Sequence, residues 1–266
     1  MIVIKFGGHA MTDEEGLFAK AVQGALDMGE DCIIVHGGGP QIDMALKEAN
    51  IAPAFLGGYR VTTPQVYEIV QKVLTGVVLR TVVAQLRVAG INAVGLSGRD
   101  GGLLVAKKLS ELVDGSPVEL GQVGEIIKVD NSVLDALLAA GFLPVVSSIA
   151  VEGDETSENS RVGLNVNADL AAGAIAGAVK ASTLIFMTDV AGIYRNWPET
   201  SSLITSISAA ELRSIKGEFA DGMAPKVLAC LNAIDAGAQS VRIIDGKDPE
   251  AFALALRGIG GTVVTP

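Results

Sequence analysis

Two lysines, an arginine and a few carboxylates and amides stand at the ends of apolar stretches in this chain: Lys5, Arg60, Asn165, Asn167, Asp169, Asp189 and Lys226. Glycine runs lie beside them, Gly7-Gly8 after Ile2-Val3-Ile4-Lys5-Phe6 and Gly37-Gly38-Gly39 after Ile33-Ile34-Val35-His36. A glycine turn between a strand and a helix bares backbone N–H groups at the helix N-terminus. With no side chain in the way, an anion can sit on those amides. Two such turns, one with a lysine on its strand, read as two sides of a phosphate pocket. Cations and amide donors with hardly a base among them suit phosphoryl transfer, which asks for positioning and charge neutralisation. A carboxylate acceptor, with a pKa of about 4, is already ionised at neutral pH and needs no base. Plainer readings stand beside these. Lys5 could be a surface lysine, Arg60 a solvated loop charge, and Asn165 and Asn167 the makers of Asx turns. Asp169 could cap or pair locally on its helix, His36 could bond the local backbone, and Arg99 and Asp100 could pair with each other.

Other chemistries lack their residues. There is no GxxxxGK[ST], no GxGxxG after a strand, no HExxH and no cysteine pair at metal spacing. With only two histidines, His9 and His36, a histidine base or a zinc site is not expected, and no protein-held metal cage is apparent. A net charge of −10 and the lack of a basic stripe exclude nucleic acid as a partner. Cys32 and Cys230 lie in apolar stretches, which suits buried thiols in a reducing compartment. Met1 leads straight into a strand, so no leader is expected. The weakly charged run at 136–151 is broken by Gly141 and Pro144 and does not read as a membrane span. A soluble, cytoplasmic protein is expected.

A chain of 266 residues that is 49% hydrophobic holds one large α/β domain or two joined lobes. Thr12-Asp13-Glu14-Glu15 has the form of a capping box and predicts a helix to about 28. A strand at 32–35, a helix at 40–48 opened by Pro40 and a loop at 57–62 follow. Val66, Ile69, Val70, Val73, Leu74 and Val77 recur at helical spacing and predict one long helix over 64–88. A strand at 92–96 comes next. Short alternating stretches over 103–130 predict a hairpin excursion beside the main sheet. A helix at 132–140, a strand at 143–147 and a helix from about 169 to 179 complete the first part. The remainder predicts strands at 184–187, 241–244 and 262–265, a loop at 188–198, and helices at 209–215, 224–236 and 249–256. Strands alternating with helices make a three-layer α/β sandwich around a mainly parallel central sheet. Ligands belong at the carboxyl ends of such strands, where the turns at 5–8 and 36–39 and the Thr188-Asp189 loop fall.

Five motifs then align in order over nearly the whole chain: Lys5-Phe6-Gly7-Gly8, His36-Gly37-Gly38-Gly39, Gly58-Tyr59-Arg60-Val61-Thr62, Asn165-Val166-Asn167-Ala168-Asp169, and Asp221-Gly222-Met223 with Lys226. Together they resemble the amino acid kinase family, and within it the arginine-biosynthetic branch that uses ATP to phosphorylate the side-chain carboxylate of N-acetyl-L-glutamate. The resemblance implies that Lys5 and Lys226 stabilise the transferring phosphoryl group from opposite sides while Asp169 holds them. It implies that Gly8 and the Gly38 and Gly39 amides bond the phosphate and the reacting carboxylate, and that Arg60 and Asn165 hold the α-carboxylate. Asp189, Val190, Ala191, Gly192, Ile193 and Tyr194, with Phe219 and Ala220, match the nucleotide-binding segments. Mg²⁺ would ride on the ATP phosphates. The acceptor would bind a lobe of residues 1–175 that also carries the dimer contact, and ATP a lobe of residues 176–266. Two other readings stay open: a kinase for glutamate or aminoadipate on a carrier protein, and a non-catalytic nucleotide sensor.

Arginine-sensitive members of that branch carry an extra helix before the first strand, which links dimers into hexamers. They also place a histidine after the proline of the last helix and a glutamate further along it. Here four residues precede Lys5, Glu250 follows Pro249, and 252–256 reads Phe-Ala-Leu-Ala-Leu. The resemblance therefore implies an isologous homodimer insensitive to L-arginine. Millimolar L-arginine should leave turnover unchanged and light scattering should give a dimer. Inhibition, or a hexamer, would refute the expectation.

Overall fold

The computed structural model describes residues 1–7, 16–112, 114–153, 160–219, 223–248 and 250–266. In chain order the first elements are β1 (Ile2–Phe6), α1 (Leu17–Asp27), β2 (Cys32–His36), α2 (Gly39–Glu48), β3 (Phe55–Leu56) and β4 (Tyr59–Arg60). Next come α3 (Pro64–Gln71), a π-helical segment (Lys72–Val78), α4 (Leu79–Val88), β5 (Ala93–Ser97), β6 (Leu104–Lys108), β7 (Val123–Val129) and α5 (Ser132–Ala139). They are followed by β8 (Leu143–Ser147), β9 (Ile149–Glu152), β10 (Gly163–Val166), α6 (Ala168–Ala178), β11 (Thr183–Thr188), β12 (Ile193–Tyr194), β13 (Leu203–Ile204) and β14 (Ser206–Ser208). The chain closes with α7 (Ala209–Ile215), α8 (Met223–Asp235), β15 (Val241–Asp245), α9 (Ala251–Leu256) and β16 (Thr262–Thr265).

Eight strands form the central sheet in the order β14-β16-β15-β11-β1-β2-β8-β5, parallel throughout except where β16 meets β15. Side chains alternate between its two faces. On β1, Ile2, Ile4 and Phe6 join a core built with α1 to α4 and α9, while Val3 joins the opposite core built with α6, α7 and α8. The three-layer α/β sandwich predicted from the strand–helix rhythm is the architecture observed. Lys5, between Ile4 and Phe6, falls by this alternation on the α6 side.

Where structure and sequence reading differ, the causes are physical. The excursion at 103–130 does contain the antiparallel pair β6–β7, but β9 and β10 close it into a four-stranded barrel with mixed pairing. Nothing local in 149–152 or 163–166 announces that long-range pairing. The expected loop at 57–62 holds a tight hairpin, β3–β4, with Phe55 opposite Arg60. Gly57 and Gly58 have φ of 57° and 82°, the positive values that a two-residue type I′ turn requires. The long helix runs continuously over Pro64–Val88, but its middle widens into the π segment. Long and apolar enough to cross a membrane by length and composition, this helix lays Val66, Val70, Leu74, Val78, Val82 and Leu86 into the core. The Thr12–Glu15 capping box lies outside the described residues, as do Gly8, His9, Ala220, Asp221, Gly222 and Pro249. Both cysteines are buried, and burial pushes their thiols up, Cys32 to about 12, which leaves them inert at neutral pH.

Helices α6 and α8 meet through glycines. A Cβ on Gly173 would lie 2.7 Å from the Ala229 carbonyl oxygen, and one on Gly177 would strike Ala236. Gly173→Val should therefore lower the unfolding free energy by about 1–3 kcal/mol, as overpacking does. Gly24→Ala, in the interior of α1 with no described atom within 4 Å of its Cβ, should raise it by about 0.5–1 kcal/mol. Urea denaturation of the two variants checks both signs.

Candidate active site

Asp169 is the second residue of α6, and the way that helix begins fixes where its carboxylate points. Asn167 caps the helix: its Oδ1 accepts from the backbone N–H of Asp169 (2.8 Å) and of Leu170 (3.3 Å). One oxygen of Asp169 meets Lys5 Nζ at 2.9 Å and the other accepts from Lys226 Nζ at 2.9 Å. Lys5 arrives from β1 and Lys226 from the first turn of α8. The Asp169 side chain is only 6% exposed, against 12% for Lys5 and 21% for Lys226. Burial alone would raise the Asp169 carboxyl, but the ammonium groups of Lys5 and Lys226 override it and hold the pKa down to about 2. Gly7 leaves room for this arrangement: a Cβ there would sit 2.8 Å from Lys5 Nζ.

The glycine turn after β2 abuts the same place. A Cβ on Gly37 would lie 3.3 Å from Ala168 Cβ, and one on Gly38 would lie 2.9 Å from Leu74 Cδ2 in the π segment. A side chain at either position would make its neighbour shift. Gly39 and Pro40 then open α2, so the amides of the turn sit at a helix N-terminus. His36 is fully buried, and its Nδ1 lies 2.8 Å from the Gly37 carbonyl, so that nitrogen carries the proton. Its Nε2 has no partner among the described residues. Burial, more than the nearby Arg80, pushes its pKa down to about 4.

The α-carboxylate candidates form a chain of bonds. Arg60 Nη1 donates to Asp43 Oδ1 at 2.6 Å, and its guanidinium lies 4.5 Å from the centre of the Phe55 ring. Thr62 Oγ1 donates to the Arg60 carbonyl (2.7 Å) and accepts from Asn165 Nδ2 (3.2 Å). The barrel holds this group in place, since Thr62 bridges Gly121 and Asn165 sits on β10 between β7 and β9. Arg60 is 8% exposed, so the solvated-charge reading does not describe it.

Lys5, Gly38, Gly39, Arg60, Asn165 and Asp169 line one cavity of about 270 Å³, together with Gly7, Gly37, Phe55 and Asn167. Lys226 reaches it through Asp169. The stretch 189–194 lies beyond the carboxyl end of β11, where Thr188 Oγ1 bonds the backbone of Val190. Ile193 is buried in the core and pairs with Ile204, and Gly192 has no room for a side chain beside Thr262. Contacts from Ile193 and Gly192 to a ligand would come from backbone atoms. Phe219 packs partly buried against the core, while Gly8 and Ala220 lie outside the described residues. Among the described residues no group of three His, Cys, Asp or Glu side chains gathers to hold a metal. Asp43 and Phe55 escaped the sequence reading of the site, and Thr62 entered it only as the end of the 58–62 motif. Phe55 was legible in principle, because a Gly-Gly hairpin turn places it opposite Arg60.

The family model described as "Amino acid kinase family" matches residues 1–245. The acetylglutamate kinase of Arthrobacter sp. (strain FB24) is 46% identical, over 99% of this chain and 86% of that protein. The crystal structure of smu.665 from Streptococcus mutans UA159 superposes with a TM-score of 0.81 at 26% identity, covering 99% of this chain and 98% of that one. Carbamate kinase from Giardia lamblia bound to AMP-PNP shares the fold with a TM-score of 0.74 at 17% identity, over 99% and 97% of the two chains.

His36 gives this site a pH signature in stability. The unfolded imidazole, at its ordinary 6.5, binds a proton that the buried one refuses until about 4. More protons are bound when unfolded, so stability is complete above 6.5 and falls as pH drops toward 4. The slope should approach about 1.4 kcal/mol per pH unit in that window. Urea unfolding at a series of pH values checks it, and His36→Gln should flatten that part of the curve.

Proposed function

Because the chain belongs to the amino acid kinase family, we propose that it transfers the γ-phosphoryl group of ATP to the side-chain carboxylate of N-acetyl-L-glutamate, giving N-acetyl-L-glutamyl 5-phosphate and ADP. The observation that carries the reading is the buried Lys5–Asp169–Lys226 bridge beside a cavity that also holds Arg60. Similarity to the Arthrobacter acetylglutamate kinase supports this acceptor.

The chemistry follows from charge. A carboxylate oxygen attacks the γ-phosphorus as the bond to the β,γ-bridging oxygen breaks, so no proton has to leave the nucleophile. Negative charge spreads over the transferring group, and the Lys5 and Lys226 ammonium groups neutralise it from two elements at once. Asp169 fixes their spacing and, with its low pKa, stays ionised throughout the working range. Gly38 and Gly39, with Gly8, supply amide donors to the phosphate and the reacting carboxylate, and Arg60 and Asn165 hold the α-carboxylate. The segment 189–194, with Phe219 and Ala220, binds the nucleotide. Mg²⁺ would arrive on the ATP phosphates and offset their charge, because among the described residues no group of three His, Cys, Asp or Glu side chains gathers to hold it separately. The same proposal assigns residues 1–175 to the acceptor and 176–266 to ATP. It also includes a cytoplasmic homodimer, a reading supported by the exposed Val77 and Val88 on the Pro64–Val88 helix and by the edge position of β5.

Incubation with ATP, Mg²⁺ and N-acetyl-L-glutamate should give ADP and an acyl phosphate that hydroxylamine traps. Turnover with another acid but none with this one would sink the assignment. Lys5→Ala and Lys226→Ala should each lose about 10²–10³ in kcat. Arg60→Ala should act mainly on KM for the acid, because it grips a carboxylate that does not react.

A further inference from the structure

Asp43 plays no part in the reaction as set out above, yet it makes the tightest polar contact with Arg60, 2.6 Å from Oδ1 to Nη1. The two charges are unequally placed: the Arg60 side chain is 7% exposed and that of Asp43 44% exposed. Phe55 covers one face of the guanidinium. Among the described residues the protein bonds the guanidinium only through Nη1, and Arg60 lines the cavity. A guanidinium has five donors in a rigid plane. With one end tied to Asp43 and one face against Phe55, the Nε–Nη2 edge is what remains for a ligand carboxylate.

The position of Asp43 in the chain gives this anchor a second meaning. Helix α2 starts at the glycine turn and carries Asp43 on its fifth residue. Gly39 and Asp43 are thus one helical turn apart on a rigid element, about 6 Å along the axis. The amides that receive one end of the acceptor and the carboxylate that holds its other receptor, Arg60, belong to the same helix.

We propose that the Asp43–Arg60 pair is a ruler: Asp43 is a positioning residue that sets the span between the glycine amides and the Arg60 edge, and so selects acceptors by the number of carbons between their two carboxylates. This rests on the proposed acceptor chemistry and goes beyond it, because Arg60 alone would recognise a carboxylate at any distance its flexible side chain could reach. Asp43 restricts that reach. The cost is a second carboxylate beside the bound one, which Arg60 offsets by offering each a separate edge.

The test measures hydroxamate formation from N-acetyl-L-aspartate, N-acetyl-L-glutamate and N-acetyl-L-aminoadipate with the wild-type chain, Asp43→Asn and Asp43→Ala. Both variants should raise KM for N-acetyl-L-glutamate about tenfold, the effect of losing one hydrogen bond to a charged group, and leave kcat and KM for ATP within about twofold. The preference for N-acetyl-L-glutamate over the shorter and longer acids, read as a ratio of kcat/KM, should fall at least fivefold. A merely structural role would lower all three acids together and leave that ratio unchanged, which overturns the ruler. A lower KM for N-acetyl-L-glutamate in Asp43→Asn would also overturn it, making Asp43 a competitor for Arg60. A wild-type chain that turns over none of the three acids overturns the acceptor reading and the ruler with it, a failure distinguishable from the other two because it needs no variant.

Discussion

One buried carboxylate holding two ammonium groups is the constraint that orders this molecule. Taking Asp169 out of water would cost several kcal/mol by itself, and two partners at 2.9 Å offset that cost only because their geometry is good. The geometry in turn depends on three elements meeting within an ångström or so. β1 must present Lys5 on the α6 face, α6 must begin where Asn167 caps it, and α8 must lie close enough for Lys226 to reach. The glycines at 173 and 177 answer the last demand, for they bring the backbones of α6 and α8 together. Such a triad is a weak source of stability. In the proposed transfer its value is placement, two cations held ready where charge would develop.

Much of this was legible in the chain because the physics is local. Alternation on a strand puts Lys5 opposite Ile4 and Phe6, and a polar residue before an Ala/Gly-rich run marks the start of α6. A glycine triplet after an apolar strand exposes amides wherever it occurs. What escaped depends on distant partners. β9 and β10 are strands because β6 and β7 lie beside them, and no pattern within four residues says so. Arg60 is marked by its motif, but the partners that hold it, Phe55 and Asp43, meet it only once the β3–β4 hairpin has folded. Asp43 looks like any polar residue on the solvent side of a helix. Its partner is 17 residues away, beyond the reach of periodicity.

The π segment is a further case of tertiary context deciding local form. Residues 64–88 read as one regular helix, and the apolar periodicity is real, but Leu74 and Val78 both press on Gly38. A widened turn re-aims the side chains that face it, and such insertions recur next to functional sites. The glycine turn is therefore shaped from two sides, by Ala168 at the start of α6 and by the π segment. The helix that carries the amide donors, the helix that carries Asp169 and the long helix beside them meet at two glycine-sized gaps, Gly37 and Gly38.

The charge pattern completes the argument. The chain as a whole is at −10, so a phosphate-bearing ligand meets overall repulsion at long range. At about 8 Å of screening length in physiological salt, that repulsion matters little, and the local balance decides. Lys5, Lys226 and Arg60 stand against Asp169 and Asp43 in and around one cavity, leaving a surplus of one positive charge with amide dipoles added at the mouth of α2. A surplus that small binds anions without trapping them. In the proposed reaction, each acid removed from the cluster would release a cation from its partner, so Asp169 and Asp43 would set by placement how much positive charge the phosphoryl group and the α-carboxylate each receive.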